Sequence, residues 1–161
     1  MAYLNTLRSI AAGLAFGFAA FSVQAAGNSG LPEIRTINSQ QPFDTVVQQL
    51  EKSITDNKMG LVAQASASKG AASKGIKIPG NAVLMVFRPD FAVRILKASV
   101  AAGIEAPLRI YVTENADGTT SVSYRTPSVV FSPYRNTELD KLASELDPIF
   151  EHIVGDAVQG R

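Results

Sequence analysis

The sequence predicts an α+β fold: a two-layer domain with an antiparallel sheet of about four to five strands, backed by two main helices and a short one. Three observations predict it. Apolar residues recur at helical spacing in Phe43–Ile54 and, over a longer run, in Leu139–Ala157. Two extended segments, Leu108–Glu114 and Thr119–Arg125, flank the turn-forming Ala116-Asp117-Gly118. The element order is then helix, strand, strand, helix, hairpin, helix, which suits an antiparallel sheet better than a strictly alternating βα chain.

At the N-terminus, Arg8 closes a short positive start, Ile10–Phe21 is an unbroken apolar or small run, and Val23-Gln24-Ala25 follows. That order is the signature of a secretory signal peptide. A bilayer span needs roughly 20 consecutive apolar residues, and this run stops before Gln24 and Asn28. Cleavage is expected after Ala25, with Val23 and Ala25 at the two positions that take small or aliphatic side chains. Cleavage after Ala26 would put Gln24 in the first of these. The expected organisation is a signal peptide over 1–25, a flexible mature N-terminus over 26–32, one α+β domain over 33–158 and a short tail over 159–161. The mature chain of about 135 residues is long enough to bury one core. It is expected in the periplasm or secreted, with no stable membrane anchor once cleaved.

Composition closes several chemistries. The chain has no cysteine, although an oxidising compartment would permit disulfides, so stability has to come from packing. A thiol nucleophile, cysteine-bound zinc, iron–sulfur clusters and covalently attached haem are excluded with it. The formal charge of +1 falls to zero when the segment containing Arg8 is removed, and tryptophan is absent. Neither a basic excess nor a stacking platform points to nucleic acid. No cofactor is expected.

Element by element, Glu33–Asn38 reads as a short strand. Pro42 opens a helix in which Phe43, Val47, Leu50 and Ile54 form one stripe, with Asp44 in its first turn, Lys58 in its last and Gly60 as its stop. Leu61–Ala65 is a strand. Ala82–Phe87, bounded by Pro79-Gly80 and Pro89, reads as a strand buried on both faces or central in a sheet. Pro89-Asp90 starts a helix with Phe91, Ile95, Ala98 and Ala102 inward, Arg94 and Lys97 outward, and Gly103 as its end. In the hairpin, a three-residue loop with Gly118 in the left-handed position pairs Val112 with Val122 and Ile110 with Tyr124. A two-residue turn would set Val112 against Ser123. The last helix begins near Thr137, capped by its hydroxyl. Pro148 interrupts it, and a kink is expected there, with Asp147 capping a second helical segment that has Pro148 at its first position.

With these elements in place the chain resembles the family called domain of unknown function 302. The resemblance is carried by PFDTVVQQLEKSI, GAASKGIKIPGNAVLMVFRP and APLRIYVTENADGTTSVSYRTP, and with the closing helix covers Glu33 to Val158. It implies a compact α+β domain similar to half of a TATA-binding-protein-like fold, in a family whose members can be dimeric. It implies no reaction and no catalytic residue. Relatives carry an acidic residue and a histidine shortly before the alanine-rich stretch, where this chain has Ser66-Ala67. They also have a glycine-containing turn where this chain has the shorter Phe87-Arg88-Pro89. These departures put in doubt, for this chain, any metal or ligand role that rests on that histidine.

Gly70–Lys77, GAASKGIK, has the glycine spacing of a phosphate loop. Ile76 stands where the loop's lysine belongs, Lys77 where its hydroxyl belongs, and a strand follows instead of a helix. The stretch reads instead as a helical turn, about Ser68–Lys74, ended by Gly75. His152 is the sole histidine and falls away from the apolar stripe, on a solvated face. Asp140, Asp147 and Glu151 share a side of the last helix without the loop carbonyls a calcium site recruits, so no metal site is expected. The mid-chain cations Lys69, Lys74, Lys77, Arg88, Arg94, Lys97 and Arg109 face an acidic last helix. They are read either as pairing with it or across a homodimer, or, in Lys69, Lys74, Arg88 and Arg94, as an anion site.

The functional expectation is a small exported binding or interaction module for an anionic ligand or a protein partner, without chemistry of its own. The alternatives are a serine hydrolase using His152 and a haem or metal carrier using Met59, Met85 or His152.

Overall fold

The computed structural model describes residues Glu33–Arg161. The expected signal peptide, its cleavage after Ala25 and the flexible segment 26–32 lie outside the described residues. Five strands are present: β1 (Arg35–Ser39), β2 (Gly60–Ala65), β3 (Asn81–Phe87), β4 (Leu108–Glu114) and β5 (Thr120–Tyr124). They form one antiparallel sheet in the order β1-β5-β4-β3-β2. The helices are α1 (Phe43–Asp56), α2 (Ala67–Ala72), α3 (Pro89–Ala98), α4 (Pro127–Phe131) and α5 (Thr137–Gln159). Two 3₁₀ turns, Ala101–Glu105 and Ser132–Tyr134, complete them.

The sheet has one dry face. Strand alternation points Ala82, Leu84 and Val86 of β3, Leu108, Ile110 and Val112 of β4, and Val122 and Tyr124 of β5 the same way, and all are buried. Against them lies α5, whose Leu139, Leu142, Ala143, Leu146, Phe150, Ile153, Val154 and Ala157 are buried along its length. The Phe150 ring stacks on Tyr124 at 6.3 Å between centroids. Beside α5, α1 contributes Val46, Val47, Leu50 and Ile54.

The hairpin takes the predicted register, Ile110 opposite Tyr124 and Val112 opposite Val122. Gly118 has φ +81°, which only glycine adopts without a penalty. Asp117 Oδ1 accepts from the Thr119 amide at 3.0 Å and fixes the turn. At Gly80 the constraint is space: an added Cβ would stand 2.7 Å from the Phe43 ring.

Several local expectations are corrected. Lys58, at φ +59°, terminates α1 from outside the helix, with the Met59 amide donating back to the Ile54 carbonyl at 2.9 Å, so Gly60 is free to begin β2. The cap of α5 is Asn136, whose Oδ1 accepts from the Glu138 and Leu139 amides, not Thr137. Ala102 is buried from a 3₁₀ turn after α3 ends. The interior strand β3 is fully buried on one face only, because the helices cover a single side of the sheet.

Pro148 does not divide α5, which is continuous from Thr137 to Gln159. Its missing N–H leaves the Ser144 carbonyl without an intrahelical donor, but Ser144 and Pro148 are both exposed, so the lost bond falls on the solvent side of the helix. Asp147 turns to α4, accepting from the Ser128 amide at 2.9 Å and from the Ser128 hydroxyl.

Phe150→Ala is expected to destabilise the domain by about 3–5 kcal/mol in urea unfolding, as loss of a fully buried aromatic does. Asn136→Ala is expected to cost about 1 kcal/mol by the same measurement, through loss of the α5 cap.

Candidate functional site

Among the described residues α1 and α5 pack on one side of the sheet, and the other face of its interior strands is left open by them. Alternation directs Val83 and Met85 of β3, Arg109 and Tyr111 of β4, Ser121 and Ser123 of β5, and Thr36 and Asn38 of β1 onto this face. Its β1/β5 half is polar and self-satisfied. Thr36 and Ser123 hydroxyls bond at 2.9 Å, and Ser121 donates to Asn38 Oδ1 at 2.9 Å. Its β3/β4 half is more apolar, with Tyr111 45% exposed.

A cleft of about 230 Å³ opens where these halves meet. Val83, Tyr111 and Ser123 form its floor as one cross-strand row. Arg109 and Arg125 lie at one end, and Ile34 closes another side. Glu105 of the first 3₁₀ turn and Val130 of α4 make the wall. The Tyr134 hydroxyl donates to Glu105 Oε1 at 3.1 Å, and the Tyr134 phenol pKa is raised, by desolvation first and by this carboxylate second. The arrangement combines an apolar floor with cationic, hydroxyl and carboxylate groups at its margins, as a small-molecule seat requires.

The four residues read from sequence as an anion site do not share a cleft. Lys69 lies on α2 and Lys74 follows it, beside the start of β3, where Asn81 Oδ1 accepts from the Ala67 amide at 3.0 Å. Arg88 and Arg94 lie beyond the other end of β3, a strand about 20 Å long at ~3.3 Å per residue. Both flank the Phe91 ring, with their guanidinium carbons 4.1 and 5.5 Å from its centroid, and each has a carboxylate partner. Arg88 Nε donates to Asp90 at 2.8 Å. Arg94 makes a fork of 2.6 and 2.7 Å to Glu145 on α5. The hydrogen bond from Arg88 draws the Asp90 carboxyl below its ordinary value, and that from Arg94 does the same to Glu145. Of the mid-chain cations, Arg94 thus meets the acidic last helix within the fold, and Arg35 of β1 pairs with Glu151 of the same helix.

GAASKGIK supplies the second half of α2 and its exit, with Gly75 at φ +74°, and the helix is capped upstream by the Ser66 hydroxyl, which accepts from the Lys69 amide. It joins two neighbouring antiparallel strands and precedes no long helix. His152 is exposed on α5 and lines none of the clefts described, while Met59 is buried beneath the helix layer and Met85 lies on the opposite face. Of Asp140, Asp147 and Glu151, the second is engaged by Ser128 and the third by Arg35.

Sequence reasoning missed Arg125 as a site residue, although its signal was present. The predicted hairpin register sets residue 109 opposite residue 125, and both are arginine.

One open antiparallel sheet backed by helices defines the class as a two-layer α+β domain. The family model described as "Domain of unknown function DUF302" matches residues 35–155, and the chain belongs to that family. A solved structure titled "Crystal structure of uncharacterized conserved protein DUF302 from Bacillus stearothermophilus" is similar in fold. It has a TM-score of 0.68 at 20% identity, covering 78% of this chain and 97% of that one. No curated protein matches.

The Arg94–Glu145 pair yields a signed pH dependence. Because the folded-state pKa of Glu145 is lowered, the pair's contribution is present above the ordinary carboxyl value and lost as pH falls through the lowered one. The stability difference between the native protein and Glu145→Gln should therefore shrink as urea midpoints are taken from about pH 6 to pH 3. A constant difference would show that the fork contributes no charge-dependent stability.

Proposed function

We propose that the protein is an exported, non-enzymatic binding module that seats a small ligand in the cleft on the open face of its sheet. One observation carries this reading. Among the described residues, the sheet face that α1 and α5 leave open holds a concave site whose floor is largely apolar and whose margins are polar. The signal-peptide pattern supports a periplasmic or secreted location. The single sheet backed by helices supports a likeness to half of a TATA-binding-protein-like fold, without nucleic-acid binding, since the mature chain has no basic excess.

Two alternatives are weaker on placement. A hydrolase built on His152 would need a serine and an oxyanion site around it, whereas the histidine stands exposed on α5. A haem or metal carrier would need Met59, Met85 or His152 together, and they lie in the core, on the open face and on α5. A homodimer is favoured by one observation, the exposure of Ile34 (56%) and Tyr111 (45%) on the same face. The original anion set, Lys69, Lys74, Arg88 and Arg94, could act only as two separate pairs.

Val83→Trp fills the floor of the cleft while keeping a strand-forming residue. In a ligand-observed NMR screen of small fragments, the native protein should bind members that the variant does not, with unchanged far-ultraviolet circular dichroism. A screen in which the two proteins bind the same fragments equally would overturn the cleft reading, and native mass spectrometry showing dimers dissociated by Val83→Trp would favour the homodimer.

A further inference from the structure

Arg109 and Arg125 stand opposite each other on neighbouring strands. The pairs Ile110–Tyr124 and Val112–Val122 set the register, and the next position outward joins 109 to 125, one residue past the end of β5. Both side chains line the cleft on the open face. Like charges placed directly opposite across an antiparallel pair destabilise it. Among the described residues the ion pairs use Arg35, Lys52, Arg88, Arg94 and Lys141. Among the described residues neither Arg109 nor Arg125 has a carboxylate partner, whereas Arg35, Arg88 and Arg94 each have one.

We propose that Arg109 and Arg125 form an anion clamp and that the ligand is a small monocarboxylate with an apolar body; this rests on the cleft being the binding site. Three features select the class. Guanidinium forks match a carboxylate bidentately and hold it with direction, which a lysine does not. The floor beside the clamp is Val83 and the exposed ring of Tyr111, surface that an inorganic anion would leave wet and an aliphatic or aromatic body would cover. The wall carries Glu105, so the three charged lining residues sum to one net positive charge, which balances a monoanion and leaves a dianion in excess. Size sets the limit: about 230 Å³ is below the roughly 300–1,000 Å³ of sites for drug-sized ligands. Glu105 is tied to Tyr134 and therefore faces the clamp from a fixed position instead of folding onto it.

The test is isothermal titration calorimetry on the full mature protein at low ionic strength. Benzoate and isovalerate are compared with benzyl alcohol, isoamyl alcohol and inorganic phosphate. At least one carboxylate should bind tenfold or more tightly than its alcohol and than phosphate. Arg109→Met and Arg125→Met should each weaken that binding at least tenfold, and Arg109→Lys, which keeps charge and loses the fork, should recover little of it. Arg94→Met should leave it unchanged. Each methionine variant should melt no lower than the native protein, because a repulsion has been removed, which also shows that lost binding is not lost folding. Carboxylates and alcohols binding equally would overturn the clamp while leaving the cleft reading intact. Phosphate binding as tightly as the carboxylates would overturn the monocarboxylate class. No binding by any of these probes to a protein whose cleft still takes neutral fragments would overturn the clamp alone, whereas failure of the fragments too would remove both.

Discussion

The fold depends on the apolar stripe of α5. It runs from Leu139 to Ala157 with every member buried, and a surface of that length has to be covered along its whole extent. A helix rises about 1.5 Å per residue, so only an element of comparable span can cover it, and the inward rows of the five-stranded sheet do. The three interior strands β3, β4 and β5 then spend one of their two faces on the helix layer. With alternation fixed by the pleat, the identity of the residues that these three strands place on the other face follows.

Sidedness also decides where charge ends up. Arginines adjoining the helix layer find carboxylates on α5, as Arg94 does with Glu145 and Arg35 with Glu151. The helix layer supplies no such partner to the opposite face. Arg109 and Arg125 are held there by the register that aligns Val112 with Val122 and Ile110 with Tyr124 for the core. The same pairing that makes the core dry therefore places two cations side by side next to Val83 and Tyr111. Structure and candidate site are two faces of one constraint.

Much of this was legible in the sequence. The hairpin register followed from matching apolar residues across Ala116-Asp117-Gly118, and the α1 stripe from its spacing, because both signals are local. Where tertiary partners compete with local rules, the reading failed. Asp147 before Pro148 looks like a helix cap, yet Ser128 of α4 offers it two donors and α5 continues. The five residues of α4 are too few for a periodic stripe, although Thr126 and Pro127 mark its start, as its N-cap and first helical position. Arg88 and Arg94 looked available because nothing in the order of residues shows that Asp90 and Glu145 face them. Arg125 could have been found from the register alone.

The most direct test of the account is to map the ligand surface residue by residue, by titrating benzoate into isotopically labelled protein and following amide chemical shifts. The account predicts saturable shifts centred on Val83, Arg109, Tyr111, Ser123 and Arg125, with the amides of α1 and α5 little changed. Shifts centred on Lys69 and Lys74, on Arg88 and Arg94, or on the exposed side of α5 would contradict the claim that the helix-free face of the sheet is where this protein binds.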